Sequence, residues 1–178
     1  YQIDVVQYGA LGEFTKKVAY FFHASAQGAG PYPGAAAAVM AVSGACKYNG
    51  LLADGQCFTP AQLLRGLRQE ADNFDLGRHV PADLRILSAE KGARKPSDTL
   101  FKAALAALAA HGVKPDQVLH VGSSLARDVG PAKRHGMKTA LFAGDRHSLS
   151  ATADQLKDPA LKPDALLTEL PQIADVVG

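Results

Sequence analysis

Residues Gly92–Phe142 read GARKPSDTLFKAALAALAAHGVKPDQVLHVGSSLARDVGPAKRHGMKTALF, and this stretch decides the fold. Ser97 precedes a segment in which Leu100, Phe101, Leu105 and Leu108 recur at helical spacing. A helix over 98–110, capped by Ser97 and closed by Gly112, is expected. Val118–Val121 then reads as a strand, Asp128–His135 as a helix stopped by Gly136, and Thr139–Phe142 as a second strand. The first strand leaves through Gly122-Ser-Ser, the kind of strand end at which α/β proteins hold ligands. Lys95, on the loop before the first helix, and Asp128, just beyond the serines, are therefore candidates for an anion and metal site.

The pattern extends outward in both directions. Downstream lie a short helix near 151–156, a strand at Asp164–Leu167 and a helix opened by Pro171. Upstream, Leu84–Leu87 is a strand. Thr59 is placed to cap a helix with Pro60 at its first position and Leu63, Leu64 and Leu67 inward. Gly50-Leu-Leu-Ala-Asp-Gly55 reads as a short buried strand running into a loop, and the alanine run Ala35–Val42 as a helix that packs closely on a sheet. Phe14, Val18, Phe21 and Phe22 mark an amphipathic helix over 14–26, and the β-branched run 2–8 is a further strand. From residue 34 onward strands alternate with helices, which predicts a doubly wound, Rossmann-like α/β domain: a parallel sheet with helices on both faces, over 31–178. Residues 1–30 form an attached helical segment.

A chain of 178 residues can bury about 70% of its unfolded surface as one domain. With 19 Lys and Arg against 17 Asp and Glu, no strong field draws it to nucleic acid or to a membrane surface. The local basic cluster Lys133, Arg134, His135 and Lys138 reads as a solvated helix face. The apolar run Ala35–Val42 is too short to span a bilayer, and the first residues lack a charged-then-apolar leader. Cys46 and Cys57 form neither a metal pattern nor a disulfide framework; buried free thiols in a reducing, cytoplasmic compartment are expected. None of the six histidines pairs with another at i, i+4, and His120, inside a strand, reads as a core residue with a satisfied ring. The start at Tyr1 reads as that of a fragment or a trimmed product.

Taken alone, Lys95 competes with the reading of a solvent-facing lysine, and Asp128 with that of a helix cap. The segments in order are more specific: Gly-x-Arg-Lys-Pro-x-x-x-x-Phe at 92–101, Lys-Pro-Asp-Gln-Val-Leu-His-Val-Gly at 114–122, and Asp-Val-x-x-Ala-Lys-x-x-Gly-Met-Lys-Thr-Ala-Leu at 128–141. Together with Gly50–Gly55 this closely resembles the haloacid dehalogenase-like superfamily.

The resemblance implies a hydrolase, most often a magnesium-dependent phosphatase acting on a small phosphorylated metabolite. In such enzymes an aspartate attacks phosphorus while a lysine and magnesium stabilise the charge. By position it assigns Lys95 to the nucleophile and phosphate and Ala53 to the site of a phosphate-binding Ser or Thr, with Asp54 beside it; Gly122, Ser123 and Ser124 read from the residues themselves as a turn whose backbone amides and hydroxyls hold an anion. Ser123 and Asp128 take the two acidic, metal-binding positions. Residues 1–30 correspond to the remnant of a helical cap. The nucleophile motif, Asp-x-Asp followed by Gly-Thr, occurs nowhere in the chain; Asp4 is followed two residues on by Val6. The family's nucleophile strand lies mid-sheet, so its absence should leave apolar strand edges open. Two readings follow: an incomplete or degenerate hydrolase, and a catalytically silent binding or assembly module. Gly122–Ala126 lacks the second glycine of a nucleophile elbow, and Gly28-x-Gly30 lacks the third glycine of a dinucleotide fingerprint.

Overall fold

The computed structural model describes residues 9–26, 30–145 and 149–178; the strand expected at 2–8 lies outside them. Five strands are described, and all of their pairings are parallel. β1 (Leu51–Ala53) pairs with β2 (Arg85–Leu87), with Leu52 opposite Ile86. β3 (Leu119–Gly122), β4 (Lys138–Phe142) and β5 (Ala165–Leu167) form a second ladder, with Val121 opposite Ala140 and Leu141 opposite Leu166. The α/β architecture and the parallel strands agree with the sequence reading. The single sheet does not: among the described residues β1 and β3 are both edges.

Helices cover both faces. α1 (Leu11–Ala26) precedes α2 (Ala35–Ala45), and α3 (Thr59–Glu70) with the single turn α4 (Leu76–His79) connects β1 to β2. After β2 come α5 (Ser88–Lys91) and α6 (Asp98–Ala110). α6 has the expected cap, Ser97 Oγ accepting from the Thr99 amide, and ends at Gly112, whose φ of 76° suits only glycine without strain.

The two ladders meet through side chains. In α2, Ala35 and Ala36 pack with Leu67 and Phe74 on the β1–β2 side, while Ala38, one turn on, packs with Ala140, Phe142 and Leu167 on the other. Only small residues let one helix lie this close to both. On the opposite face Phe101 of α6, fully buried, packs with Ala132 and Met137 and against Leu52 and Val118. Between these helices the facing edges of β1 and β3 line an apolar groove of about 750 Å³, with Leu52 and Val121 from the strands, Val39 and Val42 from α2, and Ala104 and Leu108 from α6. Val121 is 38% exposed although it lies within a strand. Among the described residues the apolar edges of β1 and β3 are thus open, and both line the groove.

Four local expectations need correction. Thr59 does not cap α3: Phe58 holds the cap position without a side-chain bond, and Thr59 Oγ1 accepts from the Gln56 amide at 2.8 Å. The helix expected over 128–135 is a wide π-turn, Leu125–Val129, followed by α7 (Gly130–Arg134), with Pro131 in the first turn of α7. Its cap is Ser124, which accepts from the Arg127 amide, so Asp128 is released from the capping role. The cysteines are free, but Cys57 is exposed and Cys46 half-buried. The chain closes with α8 (Ala153–Lys157), β5 and α9 (Ile173–Val177). Among the described residues no helix is long and apolar enough to cross a membrane.

Candidate active site

The C-terminal ends of β1, β2 and β3 converge on four charged side chains. Asp54 leaves β1, Lys95 lies on the loop that follows β2 and α5, and Arg127 and Asp128 sit in the π-turn after β3. The loop is set in place from below: Ser88, at the start of α5, is buried and its hydroxyl donates to the Gly55 carbonyl, while the Ala89 amide donates to the same oxygen. That tie brings the Lys95 amide within 2.9 Å of Asp54 Oδ1. Arg127 donates to the other Asp54 oxygen.

Asp128 is the buried member. Its residue exposure is 4%; Lys95 Nζ stands 2.6 Å from Oδ1, and the Ser124 amide donates to Oδ2 at 3.1 Å. Gly122 makes this burial possible, because a Cβ there would stand 2.3 Å from the Asp128 Cβ. The His120 ring faces the same carboxylate, with Nε2 3.6 Å from Oδ1, too far for a hydrogen bond. That nitrogen is buried with no hydrogen-bond partner, which corrects the expectation of a satisfied core histidine. Burial by itself would raise the Asp128 pKa; His120 and Lys95 outweigh it and hold the carboxyl far below the usual carboxylate range.

A lowered folded-state pKa stabilises the fold above the unfolded value of about 4, and the contribution disappears as pH falls through the folded value. Chemical denaturation at pH 6 and pH 3 should therefore show wild type losing more stability on acidification than Asp128→Asn. Equal losses would remove Asp128 as an acid-sensitive element.

The residues singled out in the sequence are thus brought together: Ala53, Asp54, Lys95, Gly122, Ser123, Ser124 and Asp128 line one strand-end rim. Ser124 has its amide on Asp128 and its oxygen on the Arg127 amide, whereas Ser123, half-buried, accepts from the Ser150 amide only through its carbonyl. Arg127 was not marked by the sequence; its one cue is a position three residues beyond the Ser124 cap. Asp54 is neutralised by Arg127. The basic cluster is likewise paired: His135 and Arg134 meet Asp98, and Lys133 meets Asp164.

A profile of the family described as "HAD-hyrolase-like" matches residues 92–173. The glyceraldehyde 3-phosphate phosphatase of Pyrococcus furiosus is 32% identical over 146 residues, 82% of this chain and 53% of that protein. The chain belongs to the haloacid dehalogenase-like superfamily. Its fold matches the crystal structure of a HAD phosphatase from Thermococcus onnurineus (TM-score 0.59, 21% identity, 83% of this chain and 58% of that one). It also matches a conserved haloacid dehalogenase-like protein from Agrobacterium tumefaciens (TM-score 0.57, 21% identity, 82% and 59%). This HAD-like chain spans about half the length of the curated relative it matches.

Magnesium, which the superfamily implies, does not fit the residues present. Mg²⁺ takes six oxygens in near-octahedral geometry and relies on available carboxylates. Asp54 and Asp128 are, among the described residues, the carboxylates of the rim, and each of their four oxygens already accepts from Lys95, Arg127 or Ser124. Among the described residues no group of three or more His, Cys, Asp or Glu side chains could hold a metal.

Proposed function

We propose that this chain is the phosphate-holding half of a phosphomonoester hydrolase site. The observation that carries the reading is Lys95. Its ammonium is fixed by Asp128 at a strand-end rim, and among the described residues only one of its three N–H donors is engaged. The remaining donors would meet two oxygens of a phosphoryl group, with the Ser123 hydroxyl donating to a third. Arg127, 52% exposed, would neutralise the rest of the dianion by turning from Asp54. The relative that acts on glyceraldehyde 3-phosphate supports a small phosphorylated substrate.

Asp54 and Asp128, the carboxylates of the rim among the described residues, are both paired with cations, and in this reading the nucleophile comes from another segment. A strand laid in the groove between β1 and β3 would end beside Lys95 and bring one there. α1, whose Tyr20 and His23 rings pack edge-on to Phe58 just past β1, would then form part of the wall that selects the leaving group.

A second reading is favoured by the mutual pairing of the four charges: a silent module whose rim is satisfied without ligand. Titration of inorganic phosphate, followed by ³¹P line width, separates the two. Wild type should broaden the phosphate signal and Lys95→Ala should not. The same preparation should be assayed for hydrolysis of glyceraldehyde 3-phosphate and an aryl phosphate. Phosphate binding that is equal in both proteins would end the hydrolase reading of Lys95.

A further inference from the structure

We propose that Lys95 is the resident cation of this rim, so that the chain takes a phosphate-class anion with no divalent metal. The inference rests on the phosphate reading above and adds to it which charge replaces the metal. A divalent ion could reach Asp128 only at Oδ1 or Oδ2, and the first holds an ammonium at 2.6 Å. The second is turned inward onto the Ser124 amide. Asp128 cannot swing out to a better position, because its side chain is 6% exposed and seated against Gly122. Ser123, at the neighbouring turn position, offers a neutral hydroxyl that a magnesium ion holds weakly beside the water it would displace.

Charge completes the argument. Two carboxylates face one ammonium and one guanidinium, so the rim is already balanced. Among the described residues, a dication added there would stand beside Lys95 with both Asp128 oxygens already engaged. A phosphate dianion, by contrast, meets an ammonium with N–H donors to spare and an exposed guanidinium able to turn toward it.

The test uses Mn²⁺ as the probe on the whole chain, read by the free-ion electron paramagnetic resonance signal and by broadening of the Lys95, Ser123 and Ser124 amide resonances. Wild type should leave both unchanged and should bind inorganic phosphate equally in EDTA and in magnesium. Ser123→Asp should bind Mn²⁺ roughly 10-fold or more tightly than wild type, with broadening centred on residue 123. Should that variant fail to fold, Lys95→Gln, which frees Asp128 Oδ1, should show the same gain. Site-specific Mn²⁺ broadening in wild type, or phosphate binding abolished by EDTA, overturns the metal-free assignment alone. Phosphate binding absent with and without metal overturns the anion assignment together with the function above.

Discussion

Lys95→Met is expected to destabilise the chain by about 3–5 kcal/mol as well as to abolish phosphate binding. The reason is the state in which it leaves Asp128. That carboxylate is 6% exposed, retains the Ser124 amide, and loses the one ammonium that compensates its desolvation. Removing one partner of a buried ion pair costs more than the pair is worth, since the survivor is left charged and out of water. Lys95→Met combined with Asp128→Asn should recover a large part of the loss. Urea unfolding of the two single variants and the double variant would measure the coupling directly. Additive losses would show that the two groups do not act as a pair.

Gly122→Ala should be the most damaging single methyl in the chain's strand ends. The added carbon would stand 2.3 Å from the Asp128 Cβ and 2.4 Å from its Cγ. Neither atom is the far end of a flexible side chain, so β3 or the π-turn must move. Overpacking of this kind costs roughly 1–3 kcal/mol and occasionally more. Here the displacement also pulls Asp128 off Lys95, which places the expected loss at or above the upper end. Gly12→Ala is the matched control: nothing lies within 4 Å of a Cβ there, and the residue is helical. A helical Gly→Ala change stabilises by about 0.5–1 kcal/mol. Thermal melts that moved the two variants equally would sink the steric account of Gly122.

Much of this fold could be read because its signals are local. The Ser97 cap, the helix it opens and the left-handed glycines at 112 and 136 depend on residues within a few positions of one another, and all are found as expected. The superfamily pattern over 92–142 then placed Lys95 and Asp128 on one rim. What sequence did not disclose is mostly non-local. The Asp54–Arg127 pair joins positions 73 residues apart, and nothing near either one marks the other. The separation of the sheet into two ladders depends on which edges meet, a matter no strand's own residues decide. Thr59 illustrates a different failure: its hydroxyl had two nearby amides to choose from, and it took the one on the loop side. The π-turn followed from a similar competition, in which Ser124 took the cap and Asp128 was drawn under Gly122.

The groove between β1 and β3 sets how force and disorder travel through the chain. No backbone ladder carries the β1–β2 pair into the β3–β5 sheet among the described residues, so an opening on one side is not transmitted by broken strand bonds. It passes instead through the alanine face of α2, through Phe101 of α6, and through two ion pairs at the rim. Among the described residues the two ladders are thus joined by small side chains, and the rim charges act as a clasp between them. Seen this way, a group bound across Lys95 and Arg127 would do more than occupy a site: it would tie the two ladders together.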